Sequence, residues 1–333
     1  MCGAYRAGLR DITGMIRRLL KILLGLIVVA AIALTILWFA RPEDLLFDEF
    51  RASVPHSDYS HFADIDGIRL HYQEKGTGTP LVLMHGLSSS TYTWKDVFEP
   101  LSKSFHVIAV DLKGHGFSGK PDGDYTRRAQ AVLVTHLLDH LKVDKAWFAG
   151  NSMGGEIALN IALQNPHRVE GLILIDSAGV NVPGNASLTP AYTKIPVIGR
   201  ILVALAMTSD RLVRQSLATS LYDDSKVTDE RVAAYYRPLR TRGGQLAAVR
   251  ARAQFQLLPV EQDLGKVNAP ALIIWGAEDP LFPPAAGRKL NSLIRNSKLV
   301  ILEKCGHEPQ EELPERVVDE LTKFVHESNR ANK

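Results

Sequence analysis

The longest unbroken apolar run comes early. Ile22 to Ala40 reads ILLGLIVVAAIALTILWFA, 19 residues without a charge. As a helix it would reach roughly 28 Å, close to the hydrocarbon thickness of a bilayer. Residues 41–61, with Pro42, Pro55 and mixed charges, read as a linker. Beyond them the apolar runs shorten. Ile68–Gln73 alternates and predicts an early strand. Leu81–Met84, His106–Leu112, Lys145–Asn151, Leu172–Asp176, Ala271–Gly276 and Lys298–Leu302 are compact runs suited to strands buried on both faces. Tyr125–Leu141, Met153–Gln164 and Pro314 to about His326 have helical character. Strands separated by helical segments predict an α/β fold, a mostly parallel central sheet with helices on both faces. From Gly179 to Leu258 the pattern changes to helical stretches with no clear buried strand. This predicts a helical cap over 179–258, inserted into a core made of 62–178 and 259–327. Its most apolar part, Ile195–Leu205, reads as cap core in preference to a wall for an acyl chain.

The flanks of the first run give it a direction. Arg6, Arg10, Arg17, Arg18 and Lys21 precede it against one Asp11, and Trp38 and Phe39 sit at its distal end. Arg41, Glu43, Asp44, Asp48 and Glu49 follow. The positive-inside bias predicts a cytoplasmic basic segment over 1–21, a transmembrane anchor over 22–40, and a catalytic body on the extracytoplasmic (periplasmic or extracellular) side. Three other readings fit less well. Trp38, at −3 before Ala40, is a poor signal-peptidase site. All-round apolarity argues against a buried globular helix and against one lying on the membrane surface.

Composition narrows the function. The 333 residues are 46% hydrophobic and 23% charged, ordinary for a globular chain, and the net charge of +3 gives no basis for a nucleic-acid partner. Cys2 and Cys305 make neither a disulfide framework nor a metal set. There is no zinc spacing, P-loop or dinucleotide fingerprint, so no cofactor or metal is expected. The glycines after Asp111 (Gly114, Gly116) lack the rest of a phosphate loop and read as a structural turn.

One segment carries chemistry on its face. Trp147-Phe148-Ala149-Gly150-Asn151-Ser152-Met153-Gly154-Gly155 runs from a strand through Gly-x-Ser-x-Gly into a helix. Side chains at 150 or 154 would crowd a sharp strand-to-helix turn, and the turn would present the Ser152 hydroxyl at a helix N-terminus. A serine hydroxyl needs a base to take its proton and a carboxylate to orient that base. Gly276-Ala277-Glu278-Asp279 and Cys305-Gly306-His307 each follow a predicted strand, so they would gather at the sheet edge that holds Ser152. The order Ser152, Asp279, His307 fits the architecture, with Glu278 and Asp176 as alternative acids. The oxyanion donors would be the N–H groups of Met153 and of Leu87 in the His85-Gly86-Leu87 loop. His85 reads as a loop organiser.

Taken together, His85-Gly86, Trp94, Asp111 to Ser118, Gly150 to Gly155, Gly276 to Asp279 and Gly306-His307 resemble the α/β-hydrolase family over residues 62–327. With the apolar anchor, the chain is similar to the membrane-anchored serine lipase and monoacylglycerol-lipase-like branch. The resemblance implies that Ser152 is acylated, His307 relays the proton, and water releases the acid, with a small-molecule or lipid ester as substrate. An aspartate nucleophile, as in haloalkane dehalogenases and epoxide hydrolases, is not what stands at 152. Carbon–carbon bond hydrolases of ring-fission dienones share the Gly-Asn-Ser-Met-Gly-Gly elbow but carry a longer glycine-rich loop after His-Gly. Here that loop reads Leu87-Ser88-Ser89-Ser90. That activity and an inactive scaffold on the same fold stay as alternatives.

Overall fold

The computed structural model describes residues 2–185, 209–254 and 260–331, with side chains from Gly14 onward. The chain divides into two units, Met1–Glu43 and Asp44–Lys333.

The first unit is one helix, α1 (Cys2–Phe39). Gly14–Phe39 is long and apolar enough to cross a membrane. Its large apolar side chains are exposed from Met15 to Phe39, with Trp38 half-buried. The helix does not stop at the basic flank. It continues without a break through Arg17, Arg18 and Lys21. Long-chain Arg and Lys are good helix formers, so their charge does not mark a helix end.

The second unit is built on eight strands. They are β1 (Ser60–Ile65), β2 (Ile68–Lys75), β3 (Thr79–Met84), β4 (Phe105–Val110), β5 (Ala146–Asn151), β6 (Val169–Ile175), β7 (Ala271–Gly276) and β8 (Ser297–Leu302). They form one sheet in the order β1-β2-β4-β3-β5-β6-β7-β8. The β1–β2 and β2–β4 pairs are antiparallel and the rest parallel. This is the mostly parallel sheet that the apolar runs predict. Successive residues of β3 serve opposite faces. Leu81 and Leu83 pack in one apolar cluster with Trp94, Trp147 and Val317, while Val82 and Met84 pack in the other with Phe148, Ile157 and Trp275. Such two-sided burial explains runs with no polar alternation. The faces are covered by α2 (Lys95–Ser102), α3 (Arg127–His140), α4 (Met153–Gln164), α8 (Pro284–Leu293) and α9 (Pro314–Ala331).

Between β6 and β7 the described residues hold three helices longer than one turn and no strand: α5 (Asp210–Ser220), α6 (Asp229–Leu239) and α7 (Arg242–Ala253). The apolar stretch Ile195–Leu205 lies outside the described residues. Helix α6 is tied to the core. Glu230 accepts hydrogen bonds from Tyr92 Oη (3.1 Å) and Lys95 Nζ (3.3 Å), and Tyr235 Oη donates to Glu311 Oε1 at 2.5 Å.

The predicted linker is largely docked onto this body. Lys120 Nζ donates to Asp44 Oδ1 at 2.6 Å, and the Phe47 ring meets Phe62 and Phe117 edge-on at 5.4 and 5.2 Å. Pro55 O accepts from Gln73 Nε2 at 2.6 Å, and β1 begins at Ser60, inside the range read as linker. Isolated anchors such as Phe47 carry no periodicity, so the sequence pattern does not reveal them.

Candidate active site

The parallel register brings six strand ends to one edge of the sheet. Met84, at the end of β3, pairs with Val110 of β4 and Gly150 of β5; Asn151 pairs with Ile175 of β6, Ile175 with Ile274 of β7, and Gly276 with Leu302 of β8. Open α/β sheets hold ligands outside these carboxyl ends.

At the mouth of β5 the chain reverses sharply. Ser152 has φ +51° and ψ −113°, outside the regions that side-chain-bearing residues favour, and directly precedes α4. The strain is held from both sides. Ser152 N donates to Ile175 O (2.9 Å), and Ser152 O accepts from Ala178 N (3.0 Å). The flanking glycines are sterically required. A Cβ at Gly150 would lie 2.2 Å from Gly154 C, and one at Gly154 would lie 2.1 Å from Met84 O. The Ser152 side chain therefore sits where the N-terminal N–H groups of α4, Met153 among them, favour negative charge.

The loop after β3 passes directly over this turn. A Cβ on Gly86 would be 2.8 Å from Asn151 Oδ1 and 3.4 Å from Ser152 Cβ, which brings the Leu87 backbone beside the elbow. His85 has no free ring nitrogen. Nε2 accepts from Leu112 N at 3.1 Å, so Nδ1 carries the proton and donates to Gly86 O at 2.7 Å. Burial pushes its pKa down. Buried Asp111 accepts from Thr91 N (2.7 Å), Phe117 N (2.8 Å) and His71 Nδ1 (2.7 Å), fastening the same loop to β2 and to the turn after β4.

The other two side chains meet as a pair. His307 Nδ1 donates to Asp279 Oδ2 at 2.7 Å, and Asp279 Oδ1 accepts from Leu281 N (2.7 Å) and Phe282 N (3.0 Å). Glu278 is engaged elsewhere, accepting from Cys305 N at 2.9 Å. Burial works against ionisation of Asp279, but the adjacent imidazole and its hydrogen bond outweigh it and hold the carboxyl below the ordinary range. For His307 the balance has the same form. Burial lowers its pKa, Asp279 raises it, and the net shift is upward. Phe282 meets the imidazole edge-on at 5.3 Å. Burial first, and then Glu311, push the carboxyl of Glu308, next in the chain, up to about 8.

Ser152 and the His307–Asp279 pair are linked through Asn151, whose Nδ2 donates to His307 O at 3.0 Å. The described hydrogen bonds include none from Ser152 Oγ to His307. Catalytic contacts of this kind commonly tighten only when substrate is bound. The Asn151 link, in the middle of the elbow motif, is a positioning contact that residue type alone does not announce. One donor atom each from Asp176, Asp279 and His307 lies within 4.8 Å of the others. A cation could span that distance, but the Asp279 oxygens are already committed to three donors.

A family model described as alpha/beta hydrolase fold matches residues 79–314. The chain belongs to the α/β-hydrolase family. It is similar to an uncharacterized hydrolase, YugF, of Bacillus subtilis (strain 168), with 34% identity over 266 residues that cover 78% of this chain and 96% of the relative. It is also similar to the 2-hydroxymuconate semialdehyde hydrolase of Pseudomonas sp. (strain CF600), with 32% identity, covering 80% of this chain and 93% of that one. Among solved structures, that of a membrane phospholipase A, described as a bacterial virulence factor, superposes with a TM-score of 0.70 at 27% identity, covering 93% of this chain and 99% of that one. This α/β-hydrolase is thus a hydrolytic enzyme by fold and by the names of its relatives.

Proposed function

We propose that this α/β-hydrolase is a serine hydrolase of carboxylic esters, acting on acyl or lipid esters through an acyl-enzyme and held to a membrane by α1. The observation that carries the reading is the buried Asp279–His307 bond of 2.7 Å, joined through Asn151 to a serine at φ +51° on a glycine-limited elbow. Ser152 Oγ attacks the ester carbonyl carbon while His307 Nε2 takes its proton. Asp279, bonded at Nδ1, fixes the tautomer and stabilises the imidazolium. The oxyanion is held by the N–H groups of Met153 and Leu87. Collapse of the tetrahedral intermediate expels the alkoxide, which leaves as alcohol with the proton from His307. Water, deprotonated by the same imidazole, then releases the acid and restores Ser152.

Two features favour esters. The 93% overlap with the membrane phospholipase A exceeds what residues 44–333 alone supply, so the likeness extends into the N-terminal segment. The loop after His85-Gly86 is serine-rich, not glycine-rich. The charge flanks of α1 support an N-terminus in the cytoplasm and a catalytic body on the extracytoplasmic side. A second reading, hydrolysis of a ring-fission dienone, draws on the 2-hydroxymuconate semialdehyde hydrolase relative. The test is labelling by a fluorophosphonate together with turnover of short to long acyl esters beside a dienone. Wild type is expected to label and to cleave esters, and Ser152→Ala to do neither. Undiminished labelling of that variant removes Ser152 as nucleophile, and dienone turnover without esterase activity selects the second reading.

A further inference from the structure

Asp176 directly follows β6, beside the His307–Asp279 pair, and is fully buried. Its backbone is left-handed, φ +40°, with its N–H donating to Ile274 O at 3.0 Å. Oδ1 accepts from Gly276 N at 3.0 Å, while Oδ2 is buried with no hydrogen-bond partner. A carboxyl oxygen of Asp279 lies within 4.8 Å of one of Asp176. Two carboxyls can share a hydrogen bond only if one of them carries a proton. Two buried carboxyls at this separation do not both ionise. The donor inventory says which one keeps the charge. Asp279 accepts from two backbone N–H groups and from the His307 imidazole, whereas Asp176 accepts from one N–H.

We propose that Asp176 is a neutral carboxylic acid whose O–H donates to Asp279, and that this bond positions the Asp279 carboxylate that orients His307. Asp176 is a positioning residue; the inference rests on the Ser152–His307–Asp279 reading and adds a fourth side chain to it. The remaining ionisable groups facing Asp176 agree with a neutral partner. Burial keeps Cys305 a thiol and pushes the Glu308 carboxyl up to about 8. Burial first, and then the charge on Asp279, raise Asp176 well above the carboxylate range.

The test compares wild type with Asp176→Asn and Asp176→Gly. Asparagine keeps both bonds, its Oδ1 accepting from Gly276 N and its Nδ2 donating to Asp279, and it tolerates left-handed backbone. Glycine removes both bonds without adding backbone strain. The first readout is the His307 imidazole titration by NMR, assigned with His307→Gln, which needs no turnover. With a neutral donor at 176, the asparagine variant titrates with wild type. The glycine variant titrates at higher pH, because Asp279 has lost a partner that shared its charge. If Asp176 is ionised, both variants remove a negative charge and titrate lower, by about one pH unit. If its role is only to tie β6 to β7, neither variant shifts. Either of those two results overturns the proposal. The second readout is the fluorophosphonate labelling rate of Ser152 with thermal melts alongside. Glycine is expected to slow labelling about tenfold to a hundredfold, and asparagine to stay within about threefold of wild type. Equal loss in both variants refutes the donor role. Absence of labelling in wild type refutes the serine-hydrolase reading and leaves the titration to decide the Asp176–Asp279 bond.

Discussion

Gly154→Ala tests whether catalysis depends on how closely α4 approaches the end of β3. The added methyl would lie 2.1 Å from Met84 O, 2.6 Å from Met84 C and 2.9 Å from His85 O. These are backbone atoms at the end of a strand paired on both sides and of the residue that follows it, so they cannot swing away as a side chain could. Relief to an ordinary contact requires the first turn of α4 to retreat by about 1 Å. Overpacking of this kind costs about 1–3 kcal/mol, and the melting temperature is expected to fall by several degrees. The larger effect is on chemistry. Met153 N and Ser152 would move away from the Leu87 loop, and a displacement of about 1 Å between reacting groups costs roughly a hundredfold in rate. The assay is kcat/KM on a p-nitrophenyl ester with differential scanning calorimetry, using Gly265→Ala as control, since a Cβ there meets nothing within 4 Å. An alanine at 154 that leaves kcat/KM within twofold of wild type would refute the argument that this approach sets the site.

The raised His307 pKa has a pH signature: the base acts only when neutral, so kcat/KM should fall as pH drops through a value above the ordinary imidazole figure of about 6.5, and an acid limb below it would contradict the assignment. The stability linkage has two signs. The His307 contribution is complete below the unfolded imidazole value and fades as pH rises through the raised folded value. The Asp279 contribution is complete above the ordinary carboxylate value and fades as pH falls through its lowered one, which denaturant titrations across pH can separate. Arg127→Met would strand Glu156, bonded to Arg127 Nε at 3.0 Å and only 2% exposed. The expected loss is about 3–5 kcal/mol at neutral pH, shrinking in acid as Glu156 protonates, and a pH-independent loss would contradict it. A chain beginning at Asp44 should stay in the supernatant and melt near the full-length value, whereas one beginning at Phe62 loses the start of β1 and the Phe47 anchor and should melt lower; equal melting would show that the docked segment contributes nothing.

The Ser152 elbow was legible because its constraint is local. Glycine at 150 and 154 answers to contacts with the same turn and with the adjacent strand end. The loops of Asp279 and His307 were legible because each follows a run long enough to mark a buried strand. The choice between Asp279 and Glu278 was not settled by spacing, since both occupy one loop and only the path of the backbone aims one at the imidazole. Residues 41–61 read as linker because the attachments within that stretch join points far apart in sequence, such as Lys120 to Asp44. The protonation of Asp176 was hidden for a similar reason. A carboxylate is written the same way in a sequence whether or not another lies beside it, and here the neighbour follows β7, about a hundred residues further along the chain.

That arrangement of the chain has a consequence for proteolysis and repair. β6 ends at Ile175 and β7 begins at Ala271, so every peptide bond in the intervening excursion lies between Ser152 and the Asp279–His307 pair proposed to activate it. A single nick there yields an amino-terminal fragment holding Ser152 and a carboxy-terminal fragment holding Asp279 and His307, neither competent alone. Their reunion depends on zipping one parallel seam, Leu172–Ile175 against Ala271–Ile274, buried on both sides. The fold therefore divides naturally into two halves whose reassembly could be followed by recovered turnover.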